Sequence, residues 1–96
     1  MPQAPRKHIQ PLGGPLKAFG QALREIRNER GISQERLALE CDLDRTYISL
    51  IERGVQSPTI RTVAKLAEIL ATQPSVLVLR MEQILDGAKT GRKGKP

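Results

Sequence analysis

Residues 43–54 read LDRTYISLIERG, and this stretch decides the fold. Successive residues of an α-helix lie about 100° apart around its axis, so the stretch divides into two sides. Ile48 and Ile51 fall on one side, where they can pack into a core. The other side carries groups that donate hydrogen bonds or hold charge, from Arg45, Thr46, Ser49 and Arg53. The stretch therefore predicts a helix that is anchored by its isoleucines and presents a row of donors to a partner.

A second short helix is predicted directly before this one. Ser33 is a favourable N-cap, and an apolar face follows it at Leu37, Ala38 and Cys41. Asp44 can cap the second helix of the pair and Gly54 can end it, while Leu43 fills the turn between them. Two short helices joined by a tight turn form a helix-turn-helix, and the end of the second helix that carries Arg45 is the end that enters a DNA groove.

Three further helices complete an all-α, compact five-helix domain. The first has apolar residues at helical spacing from Leu16 to Ile26, and Gly31 ends it. After Pro58 and a Thr59 cap, the fourth has an inner face predicted at Ile60, Val63, Ala64, Ala67 and Leu70. The fifth runs from Pro74 to about Leu85. The domain is therefore predicted to span residues 16–85, between a flexible arm at 1–15 and a basic flexible tail at 86–96.

Composition excludes several classes of protein. The 96 residues suffice for one domain, with a net charge of +6 that lies mostly in the two ends. Cys41 is the only cysteine and is expected to be buried, and His8 is the only histidine, so no disulfide, metal site, cofactor or catalytic constellation is expected. No apolar run reaches the ~20 residues that span a bilayer. A non-enzymatic, cytoplasmic protein without a membrane partner is expected.

The sequence resembles a known family over roughly residues 16–85. The stretch GISQERLALECDLDRTYISLIERGVQSPTIRTVAKLAEIL is similar to lambda-repressor/Cro-type helix-turn-helix regulators, the xenobiotic-response-element-like group. The string LDRTYIS with IER is particularly similar to restriction-modification controller proteins. The residues that carry the resemblance are Gln34, Ala38, Leu43, Ile48 and Ile51, with IERG at 51–54 and SPT at 57–59. Two positions where the family usually has glycine depart from its pattern, at Asp42 in the turn and Ala71 after the fourth helix. A left-handed backbone is expected at Asp42, because Asp tolerates this conformation better than most residues other than glycine.

The resemblance implies a role for each matching position. Arg45, Thr46 and Ser49 would face DNA bases, and the guanidinium of Arg45 can donate two hydrogen bonds to a guanine. The DNA backbone would be contacted by Gln34, Tyr47, Arg53, Gln56, Ser57 and Thr59. Arg36 and Arg61 are either further phosphate contacts or ordinary surface residues. Arg27 would form a structural ion pair with Glu52, which neutralises an acid close to DNA.

The fifth helix predicts a dimer. Its residues 76–79 are apolar around most of the circumference, and one small domain cannot cover them all. An exposed apolar patch usually marks an interface, and two-fold dimers are the commonest oligomers. Much of the interface is expected from Val76, Val78, Leu79 and Met81.

The leading hypothesis is a sequence-specific regulator of transcription that binds double-stranded DNA as a homodimer on a palindromic operator. A repressor or autoregulator of bacterial or phage origin is expected, like a controller protein or a phage repressor. Basic residues of the arm and tail could add phosphate contacts. Two alternatives stay open: an antitoxin that binds a toxin, and a helical protein-interaction module. A further protein partner, a toxin or RNA polymerase, is not resolved by the sequence.

Overall fold

The computed structural model describes the backbone of residues 14–93 and the side chains of residues 14–87. Within that part of the chain all regular structure is helical, in five helices: α1 (Gly14–Glu29), α2 (Gln34–Cys41), α3 (Arg45–Glu52), α4 (Ile60–Ile69) and α5 (Pro74–Lys93). The predicted all-α architecture, with the helix-turn-helix at α2 and α3, is confirmed.

Each of the three central helices begins at a side chain that caps its first turn, as the sequence predicts. The N–H of Arg36 donates to Ser33 Oγ at 3.0 Å, and the N–H of Thr62 donates to Thr59 Oγ1 at 3.1 Å. Asp44 accepts a longer bond of 3.4 Å from the N–H of Thr46. These bonds satisfy N–H groups that have no partner within the helix, so the sequence itself fixes where each helix starts.

The two departures from the family pattern both adopt the left-handed backbone that glycine usually supplies. Asp42 has φ 59° and Ala71 has φ 57°. The N–H of Asp42 bonds the carbonyl of Leu39 at 3.2 Å, and the N–H of Ala71 bonds that of Glu68 at 3.1 Å. Left-handed geometry was predicted for Asp42 and is confirmed. Ala71 shows that an alanine can end α4 as glycine would, although it carries a Cβ that disfavours this conformation.

The core lies where α1, α2, α3 and α4 meet, with one residue of α5 inserted into it. Its fully buried large side chains are Leu23, Ile26, Leu37, Ile48, Ile51, Leu66, Leu70 and Leu77. Cys41 is also buried, as predicted. Two residues assigned to the inner face of α4 are instead exposed: Ile60, with 85% of its surface accessible, and Ala64. Both lie beside the stripe of Val63, Leu66, Ala67 and Leu70 that faces the core, so the predicted face was centred wrongly.

Both ends of the folded region differ from the prediction. α1 begins at Gly14, not at Leu16, because Pro15 suits the first turn of a helix. α5 continues to Lys93, past the predicted end at Leu85. Alanine, lysine and arginine in residues 86–93 favour helix even though the segment is polar. The predicted tail is therefore helical up to Lys93, while residues 1–13 of the predicted arm and residues 94–96 lie outside the described residues.

Helix α1 approaches the end of α3 unusually closely, and two glycines permit this. A Cβ on Gly20 would overlap the backbone carbonyl oxygens of Ile51 and Glu52. A Cβ on Gly54, which has φ 75°, would lie 2.9 Å from the Cα of Lys17. The last turn of α3 is thus set directly against the backbone of α1.

To span a bilayer, a helix among the five described ones would have to be both long and apolar. None of them meets both requirements alone, although Ile60–Ile69 together with Pro74–Gly87 do so as a pair bent by 103°.

Candidate nucleic-acid interface

The two sides of α3 differ in burial as the sequence predicts. Ile48 and Ile51 are completely buried, whereas Arg45 and Thr46 are exposed and Ser49 is partly exposed. Arg45 is the first residue of the helix, directly after its Asp44 cap. The side that carries Arg45, Thr46 and Ser49 is therefore open to a partner and is held in place from behind.

The buried carboxylate of Glu52 joins α1, α2 and α3. Arg27 Nε donates to Glu52 Oε2 at 2.6 Å and Arg27 Nη2 donates to Glu52 Oε1 at 3.0 Å, while Nη1 reaches the carbonyl of Ile32 at 2.8 Å. The amide nitrogen of Gln34, the first residue of α2, donates to the same Oε1 at 2.9 Å. Two parallel bonds between a guanidinium and a carboxylate hold both groups in one plane. The Arg27–Glu52 pair implied by the resemblance is present in this form, and the bond from Gln34 is an addition that sequence reasoning missed.

The other residues assigned to the DNA backbone surround α3. Arg53 is exposed at its C-terminal end, and Gln56, Ser57 and Thr59 are exposed in the loop that follows. Tyr47 is partly buried and packs against the core. The hydroxyl of Thr59 is occupied, because it caps α4 and also donates to Thr62 Oγ1 at 3.1 Å.

The two arginines left undecided by the sequence differ in their surroundings. Arg36 donates to Glu40 Oε2 at 2.6 Å one turn further along α2, and its charge is therefore paired within its own helix. Arg61 is exposed on the first turn of α4.

A family model for the helix-turn-helix matches residues 23–77, which is more than half of the chain. The chain belongs to the helix-turn-helix family. The matched region begins in α1 and ends in α5, so it includes the whole pair α2–α3 and its supporting core.

Proteins that are similar in sequence to this helix-turn-helix protein include control proteins. Control protein C.BamHI of Bacillus amyloliquefaciens is 48% identical over 61 residues, which cover 62% of this chain and 75% of the relative. Among solved structures, the restriction-modification controller protein C.AhdI from Aeromonas hydrophila is 44% identical with a TM-score of 0.63, over 65% of this chain and 94% of that one.

A second solved controller, C.Esp1396I, is described as a tetramer in complex with its natural 35 base-pair operator. It is 32% identical with a TM-score of 0.67, over 74% of this chain and 93% of that one. Other structures of that protein carry substitutions of an arginine, a threonine and a tyrosine that follow one another in its sequence. This helix-turn-helix protein has the same three residue types in the same order at residues 45–47.

The exposed apolar surface of this helix-turn-helix protein includes residues of α5 and α4. Val76, Val78 and Leu79 are exposed at 37%, 42% and 51%, while Met81 is partly buried against the core. Ile60, which sequence reasoning assigned to the core, is exposed near them. An apolar cleft is lined by Val78, Met81 and Ile60 with Pro15, Leu16, Phe19, Ser57, Pro58 and Val63, whereas Val76 and Leu79 lie outside its lining.

Polar contacts also join α5 to α1. Arg80 donates to Glu25 Oε1 at 3.1 Å and to Glu29 Oε2 at 2.9 Å. The hydrogen bond from Arg80 is the main reason why the pKa of the Glu29 carboxyl is lowered.

In the core, burial raises the pKa of the Cys41 thiol, so this cysteine stays a neutral packing residue.

Proposed function

We propose that this protein is a sequence-specific transcription regulator that binds double-stranded DNA as a homodimer on a two-fold symmetric operator. The observation that supports this most directly is the exposed donor side of α3, with Arg45 at its first turn and both isoleucines buried behind it. The similarity to controller proteins, one of them described in complex with its operator, points to the same role.

In this proposal the N-terminal end of α3 enters the major groove. Arg45 donates two hydrogen bonds to the O6 and N7 atoms of a guanine, and Thr46 contacts a neighbouring base through its hydroxyl or its methyl group. Ser49, one turn further on, reaches a base on the same side of the helix. A short helix presents few side chains, so one subunit reads only a few base pairs.

The DNA backbone is held on both sides of α3. Gln34 uses one amide hydrogen for Glu52 and keeps a second one for a phosphate, so the carboxylate orients the amide before DNA arrives. Arg53, Gln56 and Ser57 contact the backbone beyond the other end of α3, and Tyr47 contacts it through its hydroxyl. Thr59 joins them when its hydroxyl hydrogen turns from Thr62 Oγ1 to a phosphate. Such contacts fix the register of the helix on the duplex but carry no sequence information directly.

The second subunit pairs through the exposed apolar face of α5. Val76, Val78 and Leu79 form its centre, with Met81 and Ile60 at the border. A two-fold dimer brings two copies of α3 to half-sites about one helical turn apart. This protein then acts as a repressor or autoregulator whose occupancy of the operator follows its own concentration. The role requires no catalytic activity, and its DNA partner implies a cytoplasmic location.

Selection of bound sites from a pool of random duplexes tests the proposal. The wild-type protein is expected to enrich a motif with two-fold symmetry. Arg45→Ala is expected to lose preference at one position in each half-site, by about 1–3 kcal/mol. Arg53→Ala serves as the matched control, since it removes the same charge from a backbone contact and is expected to weaken all sites evenly. No enrichment by the wild-type protein would refute the function, and an unchanged motif with Arg45→Ala would refute the assignment of the reading residue.

A further inference from the structure

A charged cleft lies between α1 and the C-terminal end of α3. Only one of its residues, Arg53, is among the DNA contacts proposed above. We call it the α1–α3 cleft; it is lined by Lys17, Gln21, Arg24, Glu25, Glu52 and Arg53. Of these residues only Arg53 and Glu52 were assigned a role from the sequence. The cleft therefore contains two cations, Lys17 and Arg24, that take part in none of the proposed DNA contacts.

Both acids in the α1–α3 cleft pair with arginines from outside it, although the arginine that pairs with Glu25 is shared with Glu29. Glu52 is bound by two hydrogen bonds from Arg27, and its side chain is fully buried. Glu25 is bound by Arg80 of α5 at 3.1 Å. Within residues 14–87, neither Lys17 nor Arg53 makes an ion pair. The three cations of the cleft are thus in excess, and the cleft attracts anions.

Arg24 stands beside a residue already assigned to the DNA backbone. Its Nε lies 3.6 Å from Glu52 Oε1, the oxygen that accepts the amide hydrogen of Gln34 at 2.9 Å. Arg27 already balances the charge of Glu52, and 53% of the Arg24 side chain is exposed. A guanidinium at this distance is free to turn its remaining N–H groups towards an anion that approaches from solvent.

The backbone places Lys17 next to Arg53. Gly54 lets the end of α3 lie against the backbone of Lys17, and Gly20 lets α1 contact the carbonyl groups of Ile51 and Glu52. Backbone packing therefore fixes the points from which these two side chains start, and both side chains line the α1–α3 cleft. Binding an anion there costs little rearrangement of the fold.

We propose that the α1–α3 cleft binds a phosphate of the DNA backbone, with Arg24 as its principal donor and Lys17 and Arg53 beside it. This inference rests on the proposed function, because it assigns the cleft to the same duplex that α3 reads. It adds α1 to the DNA-binding surface. The contact contributes affinity at every sequence and no base preference.

The test combines a charge change in the protein with one in the DNA. Arg24→Gln and Lys17→Gln are each measured against the selected operator over a range of salt concentrations. Each phosphate contact contributes about 0.9 to the slope of log affinity against log salt. Because the proposed homodimer presents two such clefts, Arg24→Gln is expected to make the slope shallower by about 1.8. The base preferences in the selected motif are expected to remain as in the wild type.

Operators with a neutral methylphosphonate at single backbone positions locate the contact. Substitution at either of two symmetry-related positions is expected to weaken the wild-type protein and to weaken Arg24→Gln much less, since that variant has already lost the principal donor. Lys65→Gln is the matched control, since it removes one positive charge from an exposed position on α4 that does not line the cleft. Thermal unfolding of each variant separates a structural role from a binding role, because a structural residue lowers Tm and leaves the salt slope unchanged.

These experiments separate a failure of the cleft as a phosphate site from a failure of the proposed function. A wild-type protein that selects no DNA refutes the function itself. If the wild type selects an operator but Arg24→Gln and Lys17→Gln keep its salt slope, or respond to every methylphosphonate as the wild type does, the cleft is not a phosphate site. Equal slope changes in Lys65→Gln would overturn the inference in the same way, because the effect would then reflect net charge alone.

Discussion

At the scale of single residues, the carboxylate of Glu52 determines where the exposed side of α3 points. It accepts hydrogen bonds from Arg27 on α1 and from Gln34 on α2, and its own side chain is fully buried. A buried carboxylate is stable only when such partners compensate for its lost hydration. The pair therefore fixes the angle between α3 and its scaffold.

We expect Glu52→Ala to lower the free energy of unfolding by about 3–5 kcal/mol, because it leaves the nearly buried guanidinium of Arg27 without its partner. The double variant Arg27→Met with Glu52→Leu should recover much of this loss, since it removes both charges and fills the space. Urea denaturation of Arg27→Met, Glu52→Leu and the double variant gives the coupling energy. Losses that simply add would mean that the two side chains do not stabilise each other.

The roles of residues that act within one turn of their own helix could be predicted from the sequence. Ser33, Asp44 and Thr59 cap the helices that directly follow them, and Asp42 tolerates the left-handed turn. Contacts between distant residues could not be predicted in this way, and the Arg27–Glu52 pair was expected only from the family resemblance. The bond from Gln34 to Glu52 and the exposure of Ile60 both depend on how helices pack, which periodicity along one helix does not specify.

At the scale of helices, Gly20 explains how α1 and α3 come together. In the sequence it is a glycine inside a helix, which costs about 1 kcal/mol relative to alanine. In the fold it is the point where two backbones touch, since a Cβ there would overlap the carbonyls of Ile51 and Glu52. The close approach that it allows compensates for its poor helix propensity.

We expect Gly20→Ala to destabilise the protein by about 3 kcal/mol, because the added methyl group must push α3 away from α1. Gly87→Ala is the matched control: this glycine is also helical, but a Cβ there meets nothing within 4 Å. That variant should be more stable than the wild type by about 0.5–1 kcal/mol. Thermal or chemical denaturation compares the two, and similar effects in both would show that the α1–α3 contact is looser than described.

The extent of α5 shows a second limit of prediction. Its start at Pro74 follows from the sequence, because proline suits a first turn. Its end was placed too early, because polar, glycine-containing segments usually favour disorder. The good helix formers among residues 86–93 and the preceding turns, which are already ordered on α1, extend the helix to Lys93.

At the scale of the whole molecule, the exposed face of α5 is expected to set the oligomeric state. Leu79→Lys should convert the dimer into a monomer, because a charge replaces an apolar side chain at the centre of the proposed interface. Half of Leu79 is exposed, so the fold should tolerate the change. Sedimentation equilibrium measures the mass of the assembly, which should fall to that of one chain. The affinity for the operator should fall as well, because a monomer contacts only one half-site.

Leu39→Lys is the control for that experiment. Leu39 is 77% exposed on α2 and therefore tests the loss of a similar side chain away from α5. This variant should sediment with the same dimer mass as the wild type. A wild-type protein that is monomeric at all concentrations, or a Leu79→Lys variant that still dimerises, would contradict the proposed interface.

The caps of α2, α3 and α4 also bear on the timing of regulation. Each helix carries the signal for its own start within one turn, and domains rich in such short-range contacts fold in microseconds to milliseconds. Pairing of two subunits, in contrast, depends on how many copies are present. We therefore expect the delay between synthesis and repression to reflect the encounter of two newly made chains. At low copy number, occupancy of the promoter would then rise with roughly the square of the protein level.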